Sequence, residues 1–235
     1  MRVTLHPDSK IMPALIPETP MNKGIEAIYE GMRVKTLSTF SWKKYYLYPD
    51  VLGCRIKFRS FAAQFIRKIM IEVIESALQK AAGEGMDEFI QAFTDKYKEV
   101  IGGELTAETM PLLTGEQHSL LAYQIFRDEV MAGGFCQLIQ NGYGGYIFDN
   151  PFAKVMRLWG AEEFSKLVYK AKKIYDAHRD DLEKERTDDE FMAMYEQYEA
   201  FDELEEAYLD MEEQVTAMVA SYVDEHLELF AEIIK

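Results

Sequence analysis

Between Thr187 and Ile234 the chain carries sixteen Asp and Glu residues and not one Lys or Arg, yet it keeps the apolar spacing of a long amphipathic helix. No other stretch restricts the fold as much. An opposite-charge pair at i,i+4 stabilises a helix by roughly 0.2–0.5 kcal/mol and a like-charge pair weakens it by a similar amount. A helix of one charge sign must therefore be held by packing of its apolar side. Phe191, Met194, Tyr198, Phe201, Leu204, Tyr208, Met211, Val215, Met218 and Tyr222 supply that side, while Glu196, Glu199, Glu203, Glu206, Asp210 and Glu213 follow at spacings of three, four, three, four and three. Residues two apart are separated by about 200° around a helix, which puts Met194 and Glu196 on opposite faces. One side packs and the other displays carboxylates.

Such a face has two uses. It keeps an acidic protein soluble, or it meets a basic partner, most naturally the nucleic-acid-binding face of another protein. Carboxylates about 5–6 Å apart along a helix can be engaged by Arg and Lys side chains that otherwise bind phosphates. Density limits the second use. If residues 176–235 were all helical, their path would be about 90 Å, and the twenty-one acids on it would lie about one per 4 Å. Duplex DNA carries one charge per roughly 1.7 Å. Imitation of a duplex then requires two or more acidic helices side by side, or a homodimer.

With 48% hydrophobic residues, including 14 Phe, 14 Tyr and 13 Met, the 235-residue chain can build a substantial core despite a net charge of −15. The charge is unevenly spread. Residues 1–82 hold thirteen Lys and Arg against seven acids, a net of +6, and residues 83–235 hold thirteen against thirty-four, a net of −21. Direct nucleic-acid binding by the whole chain is unfavourable, and the basic N-terminal part could instead lie on the acidic part and neutralise it. Cys54 and Cys136 are too few and too far apart for a disulfide framework or a zinc site, which fits a cytoplasmic protein. Pro7, Pro13, Pro17 and Pro20 break the N-terminus, leaving no signal-peptide core. No run of about eighteen apolar residues predicts a membrane span.

The expected architecture is all-α: a multi-helix globular domain over residues 61–235 behind an irregular basic segment, 1–60, with room for a short β-hairpin around Pro49-Asp50. Phe61, Phe65, Ile69, Val73, Ile74 and Leu78 predict a helix from Phe61 to Ala82, ended by Gly83 and Gly85. A second helix runs from Met86 to Ile101, stopped by Gly102-Gly103. Thr114 and Gln117 form a capping box for a helix ending at Gly133-Gly134, followed by a short helix to Gln140 and a glycine-rich loop over 141–146. Asn150-Pro151 starts a segment that Gly160 closes, Ala161 to about Arg186 is a long helix, and Thr187 with Glu190 opens the acidic region with a second capping box. Periodicity leaves open whether residues 187–234 form one helix or two.

Catalytic constellations are sparse. Di-metal carboxylate sites in helical bundles need Glu-x-x-His pairs, and none of His6, His118, His178 and His226 has a Glu three residues before it; no metal or cofactor is expected. The loop over 141–146 lacks the Gly-Lys-Ser/Thr ending of a phosphate loop and reads as a tight connection. Cys136 reads as a buried structural thiol, and His178 with Asp181 as an exposed helix pair.

The stretch Val130-Met131-Ala132-Gly133-Gly134-Phe135-Cys136-Gln137-Leu138-Ile139-Gln140-Asn141 is similar to the central motif of a family of bacterial helical domains that includes an acidic DNA mimic. That pattern runs roughly Val-x-Asn-Gly-Gly-Phe-x-Gln-aromatic-aromatic-x-Asn. Val130, Gly133, Gly134, Phe135, Gln137 and Asn141 match it; Ala132, Leu138 and Ile139 depart from it. Trp159-Gly160-Ala161 also resembles a family feature, an apolar residue followed by Gly-Ala at a helix junction, and the likeness covers about residues 112–235. Physically the motif is scaffold: Gly133 and Gly134 permit a sharp turn, Phe135 anchors the next helix, and Gln137 and Asn141 can bond loop backbone. The resemblance implies a protein that binds a transcriptional regulator through an acidic surface and keeps it from DNA. The reading that follows is a cytoplasmic, non-enzymatic interaction protein whose acidic stripe, Glu196 to Glu213, contacts a basic DNA-binding protein. The alternatives are an immunity- or antitoxin-type inhibitor of a basic nuclease and an enzyme that uses Gln137, Asn141 and Tyr143 as a small-molecule pocket.

Overall fold

In the computed structural model, which describes residues 71–235, helical periodicity decides most of the architecture. The segment expected over 1–60, its hairpin, Cys54, His6 and the first turns of the helix expected from Phe61 lie outside the described residues. Nine helices follow one another here: α1 (Glu75–Glu84), α2 (Met86–Ile101), α3 (Gly115–Gln140), α4 (Gly144–Phe148), α5 (Phe152–Leu158), α6 (Glu162–Leu182), α7 (Asp188–Gln197), α8 (Asp202–Glu225) and α9 (Leu227–Phe230). They form the all-α domain expected from the sequence, with one short strand pair added.

That pair corrects two expectations. Glu72–Ile74 is a strand, β1, rather than part of a helix, and helix α1 starts only at Glu75. At the other end Glu232–Ile234 forms β2, which lies parallel to β1 with Val73 opposite Ile233. Burial alternates at Ile71 and Val73 against Glu72 and Ile74. A four-residue segment with apolar residues at Ile71, Val73 and Ile74 satisfies a helical and a strand period alike, and its β-branched residues favour the strand once a partner arrives. Two buried donors, Tyr97 Oη (3.0 Å) and Gln117 Nε2 (2.9 Å), grip the Phe230 carbonyl and set the turn from which β2 departs.

Each long helix buries a stripe. In α2 it is Phe89, Ile90, Phe93, Tyr97 and Ile101, and its end is the left-handed Gly102, φ 68°, as expected. The exception is α3, which is buried on every side from Gln117 to Phe126. A helix enclosed all round is the centre of its domain, and α3 packs against α2, α5 and α8. The core around it is aromatic. Phe126 has Phe135, Phe152, Phe164 and Tyr208 within 5.9 Å of its ring centroid.

Polar residues on such a helix need partners. The capping box is present in both directions, with Gln117 N donating to Thr114 Oγ1 (3.3 Å) and Thr114 N to Gln117 Oε1 (2.9 Å). His118, 1% exposed, donates from Nε2 to the Met110 carbonyl (2.8 Å), which leaves Nδ1 to accept from the Tyr146 hydroxyl (3.0 Å). Burial pulls its imidazole down to about 4, against which the Met110 carbonyl works weakly. An unfolded imidazole takes up its proton near pH 6.5, so the folded state binds fewer protons between those values. The contribution of neutral His118 to stability is complete above about pH 6.5 and is lost as pH falls toward 4, about 3 kcal/mol in all. In His118→Gln the unfolding free energy should drop between pH 6.5 and 4.5 by about 2 kcal/mol less than in the parent, read by urea denaturation. Equal drops in both proteins would refute a neutral, buried His118.

Candidate partner-binding surface

The acidic region is not one helix. Helix α7 opens as expected, with the Glu190 carboxylate accepting from Thr187 N (2.9 Å) and the Thr187 hydroxyl accepting from Glu190 N (3.4 Å). It ends at Tyr198, where φ −117° and ψ 39° interrupt the helix, and a 3-10 turn over Glu199–Phe201 leads into α8. Two aromatic anchors hold the break. The Tyr198 hydroxyl donates to Asp181 Oδ2 (2.5 Å) and its ring lies 5.5 Å from His178, while Phe201, 1% exposed, stacks at 5.1 Å on Phe135. His178 is exposed, as expected from sequence, whereas Asp181 is half-buried and engaged by other side chains. His178 sits at a break in α6, and Asp181 also accepts from Gln197 (3.0 Å) and Arg186 (2.7 Å), with the Tyr198 hydroxyl foremost in holding its carboxyl below the usual range.

The break divides the six stripe residues. Glu196 belongs to α7 and Glu199 to the 3-10 turn, so the shared helical face extends only to Glu203, Glu206, Asp210 and Glu213 on α8. All six are exposed. Among the described residues none of their carboxylates makes a hydrogen bond or ion pair. Nearby cations are committed to other acids: Arg127 to Asp87 and Glu212, Arg179 to Asp149 and Glu183, Arg186 to Asp181. The four on α8 span about 15 Å of helix axis.

Two further acids of α8 do not belong to this ridge. Glu205 turns inward and accepts from Phe135 N (2.7 Å); burial pushes its carboxyl above the usual range while that hydrogen bond opposes the shift. Glu212 is bound by Arg127 and by Thr216 Oγ1 (2.9 Å). The expected division into a packed side and a carboxylate side therefore holds for the ridge but not for Glu205 and Glu212. Their signal was legible, since Glu205 and Glu212 fall in helical phase with Tyr208, which is fully buried.

The glycine kink is placed as expected. Gly133 (φ −165°, ψ 27°) and Gly134 (φ 69°, ψ −169°) break α3, and Phe135 is fully buried beyond them. Gln137 and Asn141 do not bond loop backbone, however. Both donate to Glu129 Oε2, at 2.9 and 2.7 Å, because that carboxylate lies a few turns back on the same folded helix. Gly160, φ 98°, joins α5 to α6 at Trp159-Gly160-Ala161.

The alternative site near Asn141 and Tyr143 is also altered. Residues 144–146 of the expected loop belong to α4, and Asn150 does not cap α5 but donates back to the carbonyls of Gly145 (3.4 Å) and Tyr146 (3.1 Å). A cavity of about 430 Å³ lies there, lined by Asn141 and Tyr143 but not by Gln137. Cys136 is buried, and burial pushes its thiol up to about 12, away from a nucleophilic thiolate. Among the described residues no group of His, Cys, Asp and Glu is arranged to hold a metal ion, and no helix is long and apolar enough to cross a membrane.

The kink, the Glu129 lock and the acidic helix α8 all lie within one segment that also matches known proteins. The chain is similar to DNA mimic protein DMP19 of Neisseria meningitidis serogroup B (strain ATCC BAA-335 / MC58), with 34% identity over 127 residues, which are 54% of this chain and 77% of that relative. A family model described as DMP19-like protein matches residues 111–226, from just ahead of the α3 capping box to the end of α8, and by both matches the chain belongs to the DMP19-like protein family.

Proposed function

We propose that this protein is a non-enzymatic DNA mimic of the cytoplasm. Glu203, Glu206, Asp210 and Glu213, with Glu196 and Glu199 ahead of them, engage the basic face of a DNA-binding protein such as a transcriptional regulator and keep it from nucleic acid. The observation that carries this reading is a ridge of exposed carboxylates that no cation of the described residues answers. The name of the Neisseria relative, a DNA mimic, supports it. One ridge is still dilute, at about one charge per 5 Å of axis against roughly 3.4 Å for one DNA strand. A second ridge supplied by a homodimer narrows that gap, and sedimentation of the purified chain tests for it.

Pull-down from the native cell identifies the partner, and titration at two salt concentrations characterises it. The variant Glu203→Lys/Glu206→Lys/Asp210→Lys should bind about ten- to a hundredfold more weakly, and parental affinity should fall steeply with salt. A complex indifferent to both changes rejects the proposal. A nuclease as the captured partner would replace the regulator with the inhibitor reading.

A further inference from the structure

Helix α6 carries a stripe that repeats the pattern of the α8 ridge with the charge reversed. Lys166, Tyr169, Lys170 and Lys173 stand at i, i+3, i+4 and i+7 on α6, and Glu206, Leu209, Asp210 and Glu213 stand at the same four positions on α8. All eight are exposed. Among the described residues Lys170 and Lys173 make no side-chain hydrogen bond or ion pair, and Lys166 holds only Glu162 (3.3 Å) and Glu163 (2.7 Å) on its own helix, exposed pairs that are worth little singly. Lys154 of α5, which borders a small hollow together with Tyr169, widens the cationic patch. Each stripe also shows one large apolar side chain to solvent, Tyr169 at 42% and Leu209 at 54% exposure.

Within one chain the two stripes do not meet. Helices α6 and α8 pack together, but they do so through the buried faces that hold Phe164, Val168 and Tyr175 on α6 and Tyr208, Val215 and Val219 on α8. At about 100° per residue both stripes lie on the far side of their helices. Between two copies the match is close. In an antiparallel helix pair, Lys166 comes level with Glu213 and Lys173 with Glu206, while Lys170 and Asp210 differ by about 1.5 Å along the axis. Tyr169 and Leu209 then share one flank of the contact, offset by the same small step. The opposed helix dipoles favour this direction over the parallel one. At one end Glu162 falls level with the uncharged Ala217; at the other Asp176, held by Lys172 (2.8 Å), comes level with Glu203 and closes the contact.

The geometry points to head-to-tail association, in which the cationic stripe on α6 of one copy docks antiparallel on the acidic ridge of α8 of another. Such a contact is heterologous, so each pair keeps one free stripe at either end and extends into a chain or closes into a ring. It differs from a side-by-side homodimer in covering the ridge rather than doubling it. A copy so engaged withholds Glu206, Asp210 and Glu213 from a DNA-binding protein. That consequence rests on the partner-binding reading, whereas the contact itself does not.

Sedimentation velocity of the full chain at about 0.1 M and about 1 M salt tests the contact. Two neutral variants separate its halves, Glu206→Gln/Asp210→Asn/Glu213→Gln and Lys166→Gln/Lys170→Gln/Lys173→Gln. The parent should associate at the lower salt with a dissociation constant on the order of 0.1 mM and be monomeric at the higher. Each variant alone should be monomeric, and their equimolar mixture should form a 1:1 pair that grows no further, because each retains one intact stripe. Net charge cannot produce this pattern. Removing three acids takes −15 to −12 and removing three lysines takes it to −18, so general repulsion would move the two variants in opposite directions. Leu209→Ala should weaken the parental contact about three- to tenfold. A parent still monomeric at about 1 mM, association that persists in either variant alone, or a mixture that forms no pairs overturns the proposal. The ridge is judged separately, since the variant without the three lysines keeps every ridge carboxylate and should bind the DNA-binding protein at least as well as the parent.

Discussion

Gly134→Ala is expected to lower folding stability by about 2–4 kcal/mol, combining backbone strain with a lost hydrogen bond to a charged group. Gly134 sits at φ 69° and ψ −169°, a region that residues with a Cβ adopt only under strain. The added Cβ would also lie 2.1 Å from Glu205 Oε1 and 2.5 Å from its Cδ. That oxygen accepts from Phe135 N, so the methyl group displaces the acceptor that satisfies the start of the second half of α3. A double-mutant cycle separates the two costs. In a Glu205→Ala background the clash and the lost hydrogen bond are already absent, leaving only the strain, so the same glycine replacement should cost about 1–2 kcal/mol less. Urea denaturation of the four proteins measures this directly. Strictly additive losses would mean that Gly134 and Glu205 do not meet as described.

What the sequence made legible is what local chemistry controls. The capping boxes at Thr114 and Thr187 are contained within four residues, and the glycines at 102, 133, 134 and 160 mark turns through their own backbone freedom. The boundaries of α2 followed for the same reason. Non-local partners decided the rest. Glu72 to Ile74 became a strand because Glu232 to Ile234 pair with it from the far end of the described chain. The stripe divided at Tyr198 because Asp181 and Phe135, distant in sequence, hold Tyr198 and Phe201.

The same limit governs the acids. Counting carboxylates found the region, but one charge sign does not reveal which side chains have partners. Glu129, Glu205 and Glu212 receive donors from the kink and from α3 and work as structural acceptors, whereas Glu203, Glu206, Asp210 and Glu213 receive none among the described residues. On α8, only helical phase against the buried Tyr208 separates Glu205 and Glu212 from the ridge. The cavity at Asn150 was partly legible, in that Asn141 and Tyr143 were placed near one another, but Glu104 and Arg179 reach it from other elements.

Arg127→Met is expected to cost about 2–4 kcal/mol, the larger part coming from a carboxylate left without its cation. From α3, Arg127 reaches Glu212 on α8 through Nε and Asp87 on α2 through Nη2 (3.3 Å), so one guanidinium ties three helices. The pair with Glu212 is well shielded, at 23% and 15% side-chain exposure, which keeps the cost above that of a surface ion pair. Glu212 also accepts from Thr216, whose hydroxyl meets the buried Tyr123 at 2.7 Å, so an orphaned charge would sit against the centre of the core. Methionine keeps the apolar stem of the arginine and removes its charge, which isolates the electrostatic part. Glu212→Gln alone should cost less, because Arg127 keeps Asp87, and the double variant should recover about half of the loss in Arg127→Met. If both replacements weaken the protein independently, the α3–α8 tie is not an ion pair of consequence. The lysine variant of the ridge, which touches none of these groups, should retain the parental unfolding midpoint while losing its partner, so that binding and folding are read from different acids of one helix.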